Sequence, residues 1–274
     1  MLDEIARIIL IPGRVIKLDY MSHPVFFLIR SWNCFPYISR CLRSVLDQKV
    51  KDFTILFVDD ASDYTREQKK YIHETLRGHV AVFNTVRKYA ARNAYELIHA
   101  YVKQDDAIVI NVDGDDWLEG VDVISVIRTI YKKTDCVLTY GNCRYYNPGS
   151  PIHNTIASSC GQLNHRYAKD IEHNNVYRKT FFIPLHLRTW KAGLFKKIKK
   201  ESFLRPNGSW TRSCEDQAMF FPMLEMARGR YEVLKEILYV YNKENVYNDE
   251  KTNREDLLFD ELCIYKKPPY DPLV

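Results

Sequence analysis

Four continuous apolar runs, PVFFLIRSW (24–32), FTILFVDD (53–60), HVAVFNT (79–85) and AIVINV (107–112), alternate with three helix-spaced segments. No other feature narrows the fold as far. Apolar runs without polar alternation suit strands covered on both faces, and helical connections make such strands parallel. PYISRCLRSVLDQ (36–48) places Ile38, Cys41, Leu42, Val45 and Leu46 at helical spacing. TREQKKYIHETLRGH (65–79) reads as a helix that stops near Gly78, and KYAARNAYELIHAYVK (88–103) as a third. The expected fold class is α/β, with a central, mostly parallel sheet and helices on both faces. Ligands bind such sheets at the carboxyl ends of the strands.

Beyond residue 120 the pattern predicts a helix over 121–133, a strand over 136–146 and irregular, polar chain over 147–180. HLRTWKAGLFKKI (186–198) reads as the start of a helix. SCEDQAMFFPMLEMA (213–227) reads as another, kinked or restarted at Pro222, and ILYVY, within 232–242, as the last strand. Neither a linker between domains nor an internal repeat stands out. Hydrophobic residues are 46% and charged residues 27%, a balance that can bury a sizeable core.

The net charge of +5 comes from scattered Lys and Arg, and the one dense basic run, KAGLFKKIKK (191–200), suits a solvated helix face. The 19 tyrosines form no spaced stacking platform, so no nucleic-acid partner is expected. Seven widely spaced cysteines contain no C-x-x-C pair, which suggests free thiols in a reducing compartment. The opening MLDEIARIILIPGR lacks the basic start and cleavage site of a secretory signal. No apolar run is long enough to span a bilayer, so a soluble, cytoplasmic location is expected. Leu2, Ile5, Ile8 and Ile9 sit at helix-like spacing. That face suits packing on the chain's own domain first, and peripheral membrane association or a homodimer second.

Three strand ends carry polar groups: Arg30-Ser31-Trp32-Asn33, Asp59-Asp60 and Asp113-Asp115-Asp116. In a parallel sheet these ends share one edge. Three carboxylates crowded into INVDGDDWLEG (110–120) repel one another, and a hard cation with oxygen ligands removes that cost. An acidic surface turn bent at Gly114 explains the same stretch equally well. Glycine-rich nucleotide motifs are missing, which disfavours dinucleotide binding of the Rossmann kind. A nucleotide can still be held by an acid at one strand end, accepting the N3–H of uracil, and an acidic pair with a metal at another. Asp60, Asp113 and Asp115 meet that description. Taken alone, Asp60 in VDDAS also suits a turn or helix cap.

VDDASDYT (58–65), ARN (91–93), VDGDDWL (112–118) and CED (214–216) occur in that order. Together they resemble the family 2 glycosyltransferases of GT-A fold, over roughly residues 24–245. The opening turn RSWN (30–33) departs from the usual pattern at Arg30 and Trp32. The resemblance implies an N-terminal extension (1–23), one domain (24–245) and a C-terminal tail (246–274). Within the domain, 24–120 would be the nucleotide-sugar half and 121–245 the acceptor half. It further implies transfer of a hexosyl or N-acetylhexosaminyl group, with inversion, from a nucleotide-diphosphate sugar, a UDP-sugar by preference, to a hydroxyl acceptor such as a growing glycan. Mn2+ or Mg2+ would assist.

Residue by residue, the resemblance puts Asp60 on the uracil, with Arg30, Ser31 and Trp32 beside the base or ribose. Arg92 would lie near the base and diphosphate. Asp113 would touch the ribose and help hold the metal, Asp115 would bind the metal directly, and Asp116 would orient the loop or meet the donor sugar. Asp216 would be the general base, with Glu215 as its rival. By pattern alone Ser213 and Asp216 fit an S-x-x-D helix cap, and Arg92 a solvated helix face. Some relatives bind metal through a histidine after the base. No histidine follows His186 here, so His186 either takes that part, touches the acceptor, or is structural. Trp210 could stack on an acceptor sugar or pack internally.

Other readings meet obstacles in the residues. A phosphohydrolase of haloacid dehalogenase type carries its D-x-D on the first strand, whereas this one follows the fourth. A pyrophosphorylase needs a glycine-rich loop where this chain has SWNCFPY. DGDDWLEG does not fit an EF-hand. A catalytically degenerate nucleotide- or carbohydrate-binding module of the same fold stays open.

Overall fold

The computed structural model describes residues 7–11, 14–18, 23–157, 163–247 and 254–273. In chain order the strands and helices are β1 (Arg7–Ile11), β2 (Arg14–Leu18), β3 (Val25–Ser31), α1 (Phe35–Leu46), β4 (Phe53–Asp59), α2 (Arg66–Thr75) and β5 (Val80–Phe83). Next come α3 (Tyr89–Tyr101), β6 (Ile108–Asp113), β7 (Trp117–Leu118), α4 (Val123–Lys133), β8 (Leu138–Gly141), β9 (Arg144–Tyr146) and α5 (Lys169–Asn174). The chain continues through β10 (Leu185–Lys191), α6 (Ala192–Lys196), α7 (Glu215–Ala227), β11 (Tyr231–Val233), β12 (Tyr239–Asn242) and α8 (Arg254–Tyr265).

The alternating first half folds as its pattern predicts. All seven residues of β3 and all seven of β4 are buried, as strands covered on both faces must be. Helix α1 starts with a proline in its first turn and buries Ile38, Cys41, Leu42 and Val45 on one stripe. Helix α2 opens with a reciprocal capping box between Thr65 and Gln68.

The main sheet has seven strands in the order β11-β8-β10-β6-β3-β4-β5. Strands β6, β3, β4 and β5 run parallel, β11 is parallel to β8, and β10 is antiparallel to both its neighbours. Successive residues of β3 feed opposite cores. Phe26 and Leu28 join the cluster that includes residues of α3, α6 and α7, while Val25, Phe27 and Ile29 join that of α1, α2 and α4. A smaller sheet, β7-β12-β9, stands beside the carboxyl ends. The architecture is α/β with a mostly parallel central sheet and helices on both faces.

Several expectations need correction. HLRTWK lies within β10, a central antiparallel strand, and only Ala192–Lys196 is helical. Five successive buried residues, His186 to Trp190, decide this, because hydrogen bonding on both sides satisfies a buried backbone that a short helix would leave open. The single strand expected over 136–146 is two, β8 and β9, in different sheets. The helix-like start lies partly outside the described residues, and Ile8 and Ile9 belong to β1, hairpinned with β2. Beyond residue 246, helix α8 buries Asp260 and Ile264. Asp260 accepts bonds from Arg205, from Arg212 N–H and from Ser213 N–H, clamping the loop that leads into α7.

Candidate active site

Strand register levels the polar ends. Arg30 lies opposite Asp113, and Ser31 opposite Asp59, so β3, β4 and β6 finish side by side. Above them opens a cleft of about 510 Å3, and Arg30, Ser31, Trp32, Asp60, Asp113, Asp115, Asp116, His186, Glu215 and Asp216 all line it. Arg92 and Trp210 do not. Arg92 pairs with Glu96 one helical turn away at 2.7 Å. Trp210 packs on Tyr95 and Phe203 at ring distances of 5.5 and 6.1 Å. The solvated-helix and internal-packing alternatives describe these two residues.

The acidic turn depends on a close approach at Gly114. Its N–H donates to Arg30 O at 2.8 Å, and a Cβ there would sit 2.8 Å from that same oxygen. The three aspartates then diverge. Asp113 Oδ1 accepts from Arg30 Nη2 at 2.7 Å. Asp115 Oδ2 accepts from Asn245 Nδ2 at 2.7 Å. Asp116 is buried, accepting from Tyr239 Oη at 2.8 Å and Asn242 N–H at 2.7 Å. Burial, and then the charges of Asp115 and Asp113, push the Asp116 carboxyl well above its ordinary range.

Asp60 reaches across to the start of α3. Lys88 N–H and Tyr89 N–H donate to its two oxygens at 2.8 Å each, and Asn84 Nδ2 donates at 2.9 Å. It therefore caps a helix distant in sequence, with room for about one more donor on a four-site carboxylate. The loop it holds carries Arg87, whose guanidinium lies 3.4 Å over the Trp32 ring.

His186 and Arg188 sit two apart on β10, so both face the cleft. His186 stacks on Tyr239 at 4.3 Å, and its Nε2 lies 3.7 Å from Asp113 Oδ2. Burial, then Arg188 and Arg30, hold its pKa well below the ordinary histidine value, so the ring is neutral. Its buried Nδ1 has no partner among the described residues. Atoms of Asp113, Asp116 and His186 lie within 4.8 Å of one another. Two carboxylates and a neutral imidazole are a fitting donor set for a divalent ion. The sequence points to Asp113 and Asp115, with His186 as a candidate third ligand; this group contains Asp113, His186 and Asp116.

Helix α7 starts at Glu215 after Cys214, which holds a left-handed φ of 55° and makes no side-chain cap. The Ser213–Asp216 cap read from the pattern does not form. Asp216 Oδ1 instead accepts from Gln217 N–H at 2.8 Å, and Oδ2 from Arg188 Nη2 at 2.7 Å. Burial raises the Asp216 pKa, Arg188 opposes that, and Glu215 adds to it. Glu215 is tied to Arg30 at 3.1 Å. Sequence reasoning missed Arg87, Arg188, Tyr239, Asn242 and Asn245. Recognising β10 as a strand would have found Arg188, because i and i+2 share a face with His186.

A sequence model described as Glycosyl transferase family 2 matches residues 27–199, more than half of the chain. No curated protein matches it in sequence. Among solved structures, S. aureus TarS 1–349 in complex with UDP-GlcNAc superposes with a TM-score of 0.58 at 15% identity, covering 81% of this chain and 59% of TarS. The UDP complex of the same protein gives 0.55 at 15% identity, covering 80% and 60%. GalNAc-T7 with UDP, GalNAc and Mn2+ gives 0.52 at 12% identity, covering 82% and 44%. The chain thus spans about three-fifths of TarS 1–349 and less than half of GalNAc-T7. Likeness at these identities establishes the fold. Among the described residues no helix is long and apolar enough to cross a membrane.

Proposed function

The chain belongs to glycosyl transferase family 2, and from that premise we propose that its cleft moves a sugar from a UDP-linked donor to a hydroxyl acceptor, with inversion at the anomeric carbon. One observation carries this reading: Asp60, the Asp113–Asp116 turn and Glu215–Asp216, far apart in sequence, line one cleft at the carboxyl ends of the parallel strands. The fold it shares with proteins solved with UDP, UDP-GlcNAc and Mn2+ supports the choice of donor and ion.

The nucleobase end of the donor lies against Trp32 and Arg87, whose stacking prepays the ordering of both side chains. The free lone pair of Asp60 accepts the uracil N3–H. Asp113, Asp116 and His186 would hold a divalent cation, Mn2+ or Mg2+, with Asp115 at hand on the same turn. Bound there, the ion supplies positive charge to the departing diphosphate. Arg30 bridges Asp113 and Glu215, and so keeps the acidic cluster from repelling the donor before it arrives.

Asp216 is the general base. Arg188 and the Gln217 N–H fix both its oxygens, which orients the remaining lone pairs. Burial raises the Asp216 pKa and so its basicity toward the acceptor proton, while Arg188 favours the ionised form. The acceptor oxygen then attacks the anomeric carbon opposite the departing UDP. A glycan acceptor fits a cleft wall that includes Tyr145 and Tyr241.

Thermal melting tests the donor half of this reading. UDP at about 100 times its dissociation constant should add roughly 2.7 kcal/mol of stability. The gain should need Mn2+, vanish with a chelator, and be smaller with TDP, GDP or ADP. No shift with any nucleotide refutes the proposal.

A further inference from the structure

A second groove, of about 560 Å3, lies on the outer face of the small sheet. It is distinct from the cleft. Register places Tyr145 and Tyr241 side by side on one face of that sheet, and both line the cleft. Arg144, Tyr146 and Val240 stand on the other, together with Trp117, and all four line the groove. The sheet therefore separates two sites that share the Asp116–Trp117 peptide as a common wall.

The groove has the chemistry of an anion-and-sugar site. The Arg40 guanidinium lies 3.6 Å over the Trp117 ring and 4.7 Å from that of Tyr146. Among the described residues it makes no hydrogen bond or ion pair, so it rests over the Trp117 ring with its N–H donors unused. Arg144 bonds Glu119 through Nε and the Asn154 carbonyl through Nη1, so the one carboxylate in the groove is already matched. His153 Nδ1 accepts from Asn147 N–H at 3.1 Å, which leaves Nε2 to carry the proton as a donor. Two aromatic rings, a planar cation with free donors and a histidine donor thus meet in one open groove.

We propose that this groove binds the anionic group of a saccharide, with its phosphate or carboxylate on Arg40 and His153 and its ring against Trp117 and Tyr146. The site would hold a distal unit of a charged acceptor while another unit occupies the cleft. That last role rests on the transferase reading. The binding itself does not.

Calorimetric titration separates the two. The intact chain is titrated with glucose 6-phosphate, glucuronate, glucose and inorganic phosphate, with UDP and Mn2+ present to fill the cleft, and again without them. The two charged sugars should bind, glucose and inorganic phosphate at least tenfold more weakly. Arg40→Gln should weaken the charged sugars by tenfold or more, since a hydrogen bond to a charged group is worth about 1.5–3 kcal/mol and 1.4 kcal/mol is tenfold. Arg40→Lys, which keeps the charge without the planar fork, should fall between. The UDP-dependent melting shift should be the same in both variants. Equal binding by Arg40→Gln and the unaltered chain overturns the site. So does inorganic phosphate binding as tightly as the sugar phosphate, or no charged sugar binding at about 10 mM. Loss of the UDP response with charged-sugar binding intact would sink the transferase reading and leave the groove standing.

Discussion

Replacing Arg188 with Met tests how the base is held. The guanidinium is buried and joins Asp216 Oδ2 at 2.7 Å to the Pro184 carbonyl at 3.1 and 3.2 Å. Removing one member of a fully buried ion pair costs about 3–5 kcal/mol, because the other charge stays behind unmatched. The Asp216 side chain keeps 25% of its exposure, so water recovers part of that loss and roughly 2 kcal/mol is expected. For a chain of this size that is a drop in melting temperature of roughly 4–8 °C. The second effect is on titration. Burial already raises the Asp216 carboxyl and Arg188 opposes the rise, so losing Arg188 raises it further. A base works only when ionised, and activity is lost as pH falls through its folded pKa. The acidic limb of kcat/KM should therefore move to higher pH in Arg188→Met. Arg188→Lys, which restores the charge, should bring the limb most of the way back. A merely structural arginine would lower stability and leave the limb in place. That result, or an unchanged melting temperature, would refute the assignment.

Asp216→Asn should leave the UDP-dependent melting shift intact and lower kcat by at least 100-fold, the low end of what a positioned general base contributes, roughly 10²–10⁴. Glu215→Gln should cost less, and the reverse order would exchange their roles. Asp116→Asn and Asp115→Ala divide the two metal readings. The first should weaken Mn2+-dependent UDP binding more, as titrated by melting, and a larger loss in Asp115→Ala would return the ion to Asp113 and Asp115. His186 gives a pH signature without metal. Its folded pKa lies well below the unfolded value near 6.5, so the unfolded chain binds the extra proton and stability falls as pH drops below about 6.5. Denaturant titrations between pH 7 and 5 should show that loss, and His186→Gln should flatten it.

Much of the site was legible because each of its pieces ends a strand or opens a helix. Continuous apolar runs at 24–32, 53–60 and 107–112 demanded buried strands, and parallel strands bring their carboxyl ends to one edge whatever lies between them. Arg30, Asp60 and Asp113 to Asp116 follow from that geometry. Glu215 and Asp216 entered through motif order alone, since nothing local distinguishes a catalytic acid from a helix cap. The structure removes the cap by giving Cys214 a left-handed backbone and turning Asp216 onto Arg188.

What the sequence could not determine depends on long-range pairing. Strand β10 interrupts the parallel order, and it carries the polar residues His186, Arg188 and Thr189. Those polar residues are the reason it matters, because His186 and Arg188 point from it into the cleft. The ion pairs Arg30–Asp113, Arg30–Glu215 and Arg188–Asp216 join different elements, the first across 83 positions and the last across 28, and no local pattern specifies such pairings. The same holds for Asp116, which becomes buried only because Tyr239 and Asn242 of β12 fold back to bond it. Local spacing determines which segments are strands and helices, since periodic burial is a property of consecutive residues. Which carboxylate faces an arginine, an ion or water is decided by neighbours on other elements, from 28 positions away for Asp216 to 126 for Asp116, and so by the tertiary structure.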